Sequence, residues 1–185
     1  MKKKHYIIIG IGFALLAVVA ALLLSYVSDN TDSRVVEDEI RGGTVMQVAD
    51  GKEQYVNSKY HFSFIYPAGF SISTFIEGEG DVVLVQNQTT NESFQIYIAS
   101  FDEPWPVTPE RIKQDLPDMV IREPLYVALG GGAFDALIFK SEGEALGETR
   151  EIWFIHDEHL YQVTTRSDLD ALVGAIFETW QFQTT

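Results

Sequence analysis

The sequence contains no cysteine and few basic residues for its length. Without a thiol among its 185 residues, the chain has no disulfide bond, no thiol catalysis, no cysteine-based metal site and no lipobox attachment. Against 27 aspartate and glutamate residues stand 13 lysine and arginine residues, and the formal net charge is −14. Such a charge repels phosphates and anionic lipid head groups, so nucleic acid is not expected as a partner.

The sequence also lacks the short motifs of common hydrolases. It contains no G-x-S-x-G, S-x-x-K or H-E-x-x-H pattern. The triple glycine Gly130–Gly132 has neither the lysine nor the strand-to-helix setting of a phosphate-binding loop. We therefore predict no catalytic residue and no cofactor. A catalytic set assembled in space around His61, His156 and His159 is the alternative.

One long uncharged run lies near the N-terminus. Tyr6–Leu24 (YIIIGIGFALLAVVAALLL) follows three lysines, and as a helix it would measure about 28 Å, close to the hydrocarbon core of a bilayer. The alternative is a cleaved signal peptide, but the run exceeds a usual signal core and no small-x-small site follows it. We predict a signal anchor over residues 6–27, a cytoplasmic basic tip over residues 1–5, and a C-terminal part outside the cytoplasm at the cell membrane.

The remaining chain divides into a polar part and a part rich in aromatic residues. Residues 28–54 are acidic and free of aromatic side chains, which predicts a flexible tether. Residues 55–185 predict one extracytoplasmic α+β domain. Alternating apolar residues predict a four-strand meander over Tyr60–Tyr66, Ser71–Ile76, Val82–Gln86 and Phe94–Ala99.

Two helices and four further strands are predicted in the second half of this domain. Thr108 and Pro109 form a typical helix start, and Ser167 is expected to cap an amphipathic helix near the C-terminus. A hairpin is predicted around Asp157-Glu158, and its first arm is apolar on both faces, which is typical of an interior strand. The four strands are expected at Leu125–Leu129, Phe134–Lys140, Glu148–His156 and Leu160–Thr165.

The start of the domain resembles a known superfamily. Tyr55–Phe70 (YVNSKYHFSFIYPAGF) is similar to the opening of PsbP-like and Mog1-like domains, and the order of the elements that follow is also similar. The resemblance implies an antiparallel sheet flanked by helices, an α/β/α sandwich, here preceded by one transmembrane helix. The named members, a photosystem II extrinsic subunit and a nuclear-transport factor, act by binding other proteins. No functional residue of either is carried over.

Three local patterns are weighed as sites. The run His156-Asp157-Glu158-His159 contains metal-ligand side chains, but a solvated hairpin turn is favoured over a metal site because neighbouring turn side chains diverge. Glu77-Gly78-Glu79-Gly80-Asp81 begins like a calcium loop, yet it lacks the later glycine and glutamate of an EF-hand. Phe101 and Trp105 are candidate contacts for a protein partner, against the simpler interpretation of packing beneath a loop.

These observations favour a binding or assembly module without enzymatic activity, anchored in the membrane by one helix. The module's ligand is unknown, and a protein partner is expected. The alternatives are a small extracytoplasmic hydrolase and an acidic binder of cations or cationic peptides. The acidic composition predicts salt-sensitive affinity for the last of these.

Overall fold

The computed structural model of the chain describes residues 42–101, 103, 106–143 and 145–183. These residues form two antiparallel sheets and two α-helices. The predicted transmembrane segment over residues 6–27 and the cytoplasmic tip lie outside the described residues. Within the described part, no helix is long and apolar enough to span a membrane.

The elements follow one another with short connections. The first six strands are β1 (Gly43–Val48), β2 (Lys52–Asn57), β3 (Phe62–Pro67), β4 (Ser71–Glu77), β5 (Gly80–Asn87) and β6 (Glu92–Ser100). Helix α1 (Pro109–Asp115) precedes β7 (Arg122–Leu129), β8 (Phe134–Gly143), β9 (Gly147–His156) and β10 (His159–Arg166). Helix α2 (Asp170–Thr179) and the short strand β11 (Gln181–Phe182) complete the domain.

The strands divide into a large and a small sheet. The large sheet has the order β4-β5-β6-β10-β9-β8-β7, and the small sheet has the order β1-β2-β3-β11. All neighbouring strands are antiparallel. The two edges of the large sheet are therefore β4 and β7, and β9 and β10 lie in its interior.

The main core lies on one face of the large sheet, where the small sheet and α2 contribute to it. Aromatic side chains dominate this cluster. Phe62 of β3 stacks on Trp180 with ring centroids 4.6 Å apart, and Phe154 stacks on Tyr161 at 4.8 Å. A smaller apolar cluster, which includes Ile112 of α1, lies on the opposite face. The large sheet is thus covered on both faces, in three layers.

Several predicted elements are confirmed. Thr108 caps α1 by accepting the backbone N–H of Arg111 at 3.1 Å, and Pro109 is the first residue of the helix. Asp157 and Glu158 have φ values of +45° and +59° and connect β9 to β10 as the predicted hairpin. Trp180 and Phe182 pack against the main core as the expected closing segment.

The predicted tether is too long at its C-terminal end. Residues 43–48 and 52–57 form a hairpin that pairs with β3, so the folded part begins before Tyr55. Asp50 and Gly51 have φ values of +63° and +66°, the conformation that favours Asp-Gly in tight hairpin turns. The strand β1 (GTVMQV) is mostly exposed, and it lacks the regular alternation of apolar and polar residues that marks a half-buried strand.

Two further predictions are wrong. The four-strand meander is interrupted, because β3 belongs to the small sheet while β4, β5 and β6 belong to the large one. Ser167 does not cap α2: residues Ser167–Leu169 form a 3₁₀ turn without a side-chain cap, and the α-helix begins at Asp170. Arg166 and Asp168 form an ion pair across this turn instead.

Candidate functional site

The edge strand β7 is flanked by a groove on each face of the large sheet. The first groove, of about 450 Å³, lies between this end of the sheet and α2. Its walls include Leu129, Ile138, Ile152, Val173, Gly174 and Phe177. A Cβ atom added to Gly174 would meet no heavy atom within 4 Å, so the helix presents open space here. The groove is therefore mainly apolar.

The second groove, of about 440 Å³, lies on the opposite face. Tyr126 of β7 and Asp135 of β8 line it, together with Leu137 and Trp153. The Tyr126 hydroxyl donates a hydrogen bond to the carbonyl oxygen of Val107 at 3.2 Å. Burial and, after it, the negative charge of Glu110 raise the pKa of Tyr126. Glu103 also lines this groove, and it pairs with Arg111 at 3.0 Å.

Two large apolar side chains of β7 remain exposed. Leu125 is 61% exposed and Tyr126 is 54% exposed. Leu125 is paired in register with Ile138, on the face of the first groove, and Tyr126 is paired with Leu137, on the face of the second. The strand thus offers apolar surface on both faces as well as an outer edge that pairs with no other strand among the described residues.

The basic residues around β7 form ion pairs with neighbouring carboxylates. Arg122 pairs with Glu142 and Glu148, at 3.0 and 3.3 Å. Lys140 pairs with Glu123 at 3.1 Å.

Arg150 donates two hydrogen bonds to Asp170, at 2.9 and 2.6 Å. By contrast, Asp135, Glu110 and Glu178 have no ion-pair partner among the described residues. The local cations are therefore already neutralised, and uncompensated carboxylates remain.

A buried carboxyl group lies in the interior of the large sheet, at Glu151 of β9. Its side chain is 0% exposed. It accepts hydrogen bonds from the hydroxyl groups of Thr149 at 2.8 Å and Thr164 at 2.7 Å, and from the indole N–H of Trp153 at 3.3 Å. Burial raises the pKa of Glu151 to about 7, although these three hydrogen bonds act in the opposite direction. Glu151 is closed off from solvent.

Sequence reasoning missed Glu151. Two charged residues, Arg150 and Glu151, precede the apolar residues of β9, and the sequence pattern does not show that Glu151 is the buried one. The edge character of β7 was also missed. Periodicity shows where a strand lies, but it does not show which strands end the sheet.

The two histidines of the run His156-Asp157-Glu158-His159 contact aromatic rings. His156 stacks on Phe182 with centroids 3.5 Å apart, and His159 meets the ring of Tyr60 edge-on at 5.0 Å. The side chain of Asp157 is 82% exposed and approaches His156 at 3.6 Å. Burial lowers the pKa of His156, as does the neighbouring His159, while Asp157 opposes the change.

The part of the chain that the structure describes contains no group of three or more acidic or histidine side chains arranged to hold a metal ion. Glu158 lies in the turn with a positive φ value and is exposed. His61 is also exposed, and its carbonyl oxygen accepts the backbone N–H of Gln183 at 2.7 Å. Among the described residues, no serine hydroxyl forms a hydrogen bond with His61, His156 or His159.

The remaining candidates lie elsewhere. Phe101 is 4% exposed and packs in the smaller apolar cluster beneath α1. Trp105 lies outside the described residues. Asp81, from the calcium-like run, accepts a hydrogen bond from the hydroxyl group of Tyr60 at 2.6 Å and pairs with Lys59.

The chain is similar in fold to a protein of known structure. No protein-family model matches the sequence, and no curated protein matches it. Among solved structures, the chain is similar to the solution structure of PsbP from the cyanobacterium Synechocystis, with a TM-score of 0.52 and 11% sequence identity. The alignment covers 76% of this chain and 98% of that one. The chain therefore has a PsbP-like fold.

Proposed function

We propose that the chain is a binding or assembly module without enzymatic activity. In this proposal one N-terminal helix holds it in the cell membrane, and its folded domain binds another protein outside the cytoplasm. The observation that carries the binding role is the exposed apolar surface of β7, formed by Leu125 and Tyr126. Leu125 lies on the face of the apolar groove beside α2, and larger exposed apolar patches with a polar rim mark interaction sites.

The acidity of the domain supports a protein partner over a membrane surface or a nucleic acid. The net charge of −14 disfavours contact with phosphates and anionic lipids. The proposed location rests on the uncharged run Tyr6–Leu24 and the lysines that precede it.

Site-specific photocrosslinking in intact cells tests the binding role. A photoreactive residue is introduced into the full-length chain at several exposed positions, including Met46, Ile76 and Tyr126. A discrete adduct of the same mass at one or more positions supports a protein partner. Absence of adducts at every position, together with reproducible turnover of a substrate by the purified full-length chain, would favour the hydrolase alternative.

Protease treatment of intact cells tests the location. A protease added outside should remove the folded domain and leave a short membrane fragment. If the domain is digested only after the cells are opened, the proposed topology is wrong.

A further inference from the structure

We propose that the outer edge of β7, over residues 125–129, accepts an extended, basic segment of a partner protein as an additional strand. This inference rests on the proposed binding function, and it names the surface and the chemistry of the partner. Strand addition uses main-chain hydrogen bonds for affinity, and it uses alternate side chains for specificity.

The backbone of β7 is regular where the segment would bind. In the part of the chain that the structure describes, β7 is the last strand of the large sheet, and only one of its sides pairs with a neighbour, β8. Leu125–Leu129 pair one-to-one with residues 134–138. The irregularity lies earlier, between Arg122 and Leu125, where Glu123 has a φ of +51° and Pro124 follows. Bulges and prolines are features that block pairing at sheet edges, and here they leave residues 125–129 unprotected.

The side chains beside this edge differ between the two faces. Leu125 and Leu129 lie on the face of the apolar groove beside α2, and Tyr126 lies on the face that holds Asp135. Successive side chains of an added strand would point to these two faces in turn. The matching segment therefore alternates apolar residues with lysine or arginine.

Charge complementarity selects a basic partner over a second copy of the chain. Asp135 and Glu110 lie on the Tyr126 side, and Glu178 lies by the apolar groove, each without an ion-pair partner among the described residues. Two copies would each carry a formal net charge of −14 over the whole chain, and like charges oppose such association. A segment with lysine on the Tyr126 face would instead compensate Asp135 and Glu110.

The test uses the purified full-length chain in detergent and a fluorescent peptide of alternating valine and lysine. Leu125→Lys places a charge at the proposed edge. Its matched control is Ile76→Lys, because Ile76 is 68% exposed on the opposite edge strand, β4. Both variants change the net charge equally, so general attraction between the peptide and the acidic protein falls equally in the two.

We expect Leu125→Lys to weaken peptide binding by about tenfold relative to Ile76→Lys, since it replaces an apolar cross-strand contact with valine by a charged side chain. Asp135→Asn should also weaken peptide binding more than Glu53→Gln does. Glu53→Gln is the control, because it neutralises one carboxylate on β2, away from the proposed edge. A peptide of alternating valine and glutamate should bind at least about tenfold more weakly than the lysine peptide.

Four results would overturn the inference. Equal binding by the Leu125→Lys and Ile76→Lys variants would show that attraction is nonspecific. Binding lost only in Ile76→Lys would place the site on β4. Self-association of the wild-type chain that Leu125→Lys abolishes would make β7 an interface between copies. Photocrosslinks at Met46 or Ile76 but not at Tyr126 would also refute this site, while leaving the proposed binding function intact.

Discussion

Replacing the buried carboxyl group of Glu151 should make the protein more stable at alkaline pH. Glu151→Gln keeps the shape of the side chain and removes its charge. The amide oxygen can accept from Trp153 and Thr164, and the amide N–H can donate to Thr149, whose hydroxyl group rotates to accept it. The hydrogen bonds are thus retained, and the cost of a buried charge is removed.

The magnitude follows from the pKa of about 7 in the folded protein. Because this value lies above the ordinary one of 4.5, the folded state holds a proton that the unfolded state has lost. Stability from this group is therefore complete below pH 4.5, falls as the pH rises towards 7, and is lost above it. The whole difference is worth about 3 kcal/mol, of which about 2 kcal/mol falls between pH 5.5 and 8.5.

The assay is urea unfolding of the full-length chain in detergent, followed by tryptophan fluorescence at pH 5.5 and 8.5. The free energy of unfolding of Glu151→Gln, relative to the wild type, should increase by about 2 kcal/mol between these values. Glu178→Gln is the matched control, since Glu178 is exposed, and its difference from the wild type should stay nearly constant. A Glu151→Gln difference that does not change with pH would refute the account of this buried group.

Three further substitutions test the packing of the fold. Trp180→Ala should lower the free energy of unfolding by about 3–5 kcal/mol, because it removes the ring that stacks on Phe62; thermal unfolding measures the loss. Thr108→Ala should cost about 1 kcal/mol by removing the side-chain cap of α1, whereas Thr108→Ser should restore most of it in urea titrations. Gly80→Ala should cost about 1–3 kcal/mol, because its Cβ would lie 2.5 Å from the ring of Tyr97, and Gly80→Ala combined with Tyr97→Ala should cost less than the sum of the two single changes.

For each of these substitutions, one result would contradict the contact on which the prediction rests. Wild-type stability of Trp180→Ala would mean that the small sheet and α2 do not share one core. Equal stability of Thr108→Ala and Thr108→Ser would show that the hydroxyl group of residue 108 does not stabilise α1 as a cap. Additive costs for Gly80 and Tyr97 would show that the two positions do not contact each other.

Local structure was predictable from the sequence where one residue decides it. Thr108 and Pro109 begin a helix because the side-chain oxygen and the fixed φ angle serve the first turn directly. The hairpin at Asp157-Glu158 was predictable for a similar reason. The Asp50-Gly51 turn carries an equally local signal, but the exposed strand before it lacks a regular alternation of apolar and polar residues.

Long-range arrangement was not predictable from the same signals. Alternation in Phe62–Pro67 indicates a strand with a buried face, yet it does not determine whether the partner is β4 or β2. The exposed edge of β7 depends on which strand ends the large sheet. The burial of Glu151 depends on the layers that cover both faces of β9. These features arise only once the strands have been ordered.

Amide hydrogen exchange tests the binding edge most directly. The full-length chain in detergent is compared with and without the peptide of alternating valine and lysine. An added strand should slow exchange at residues 125–129 of β7, and exchange in β1 and β4 should stay unchanged. Slowed exchange in β1 or β4 with none at residues 125–129 would contradict the assignment of β7 as the docking edge.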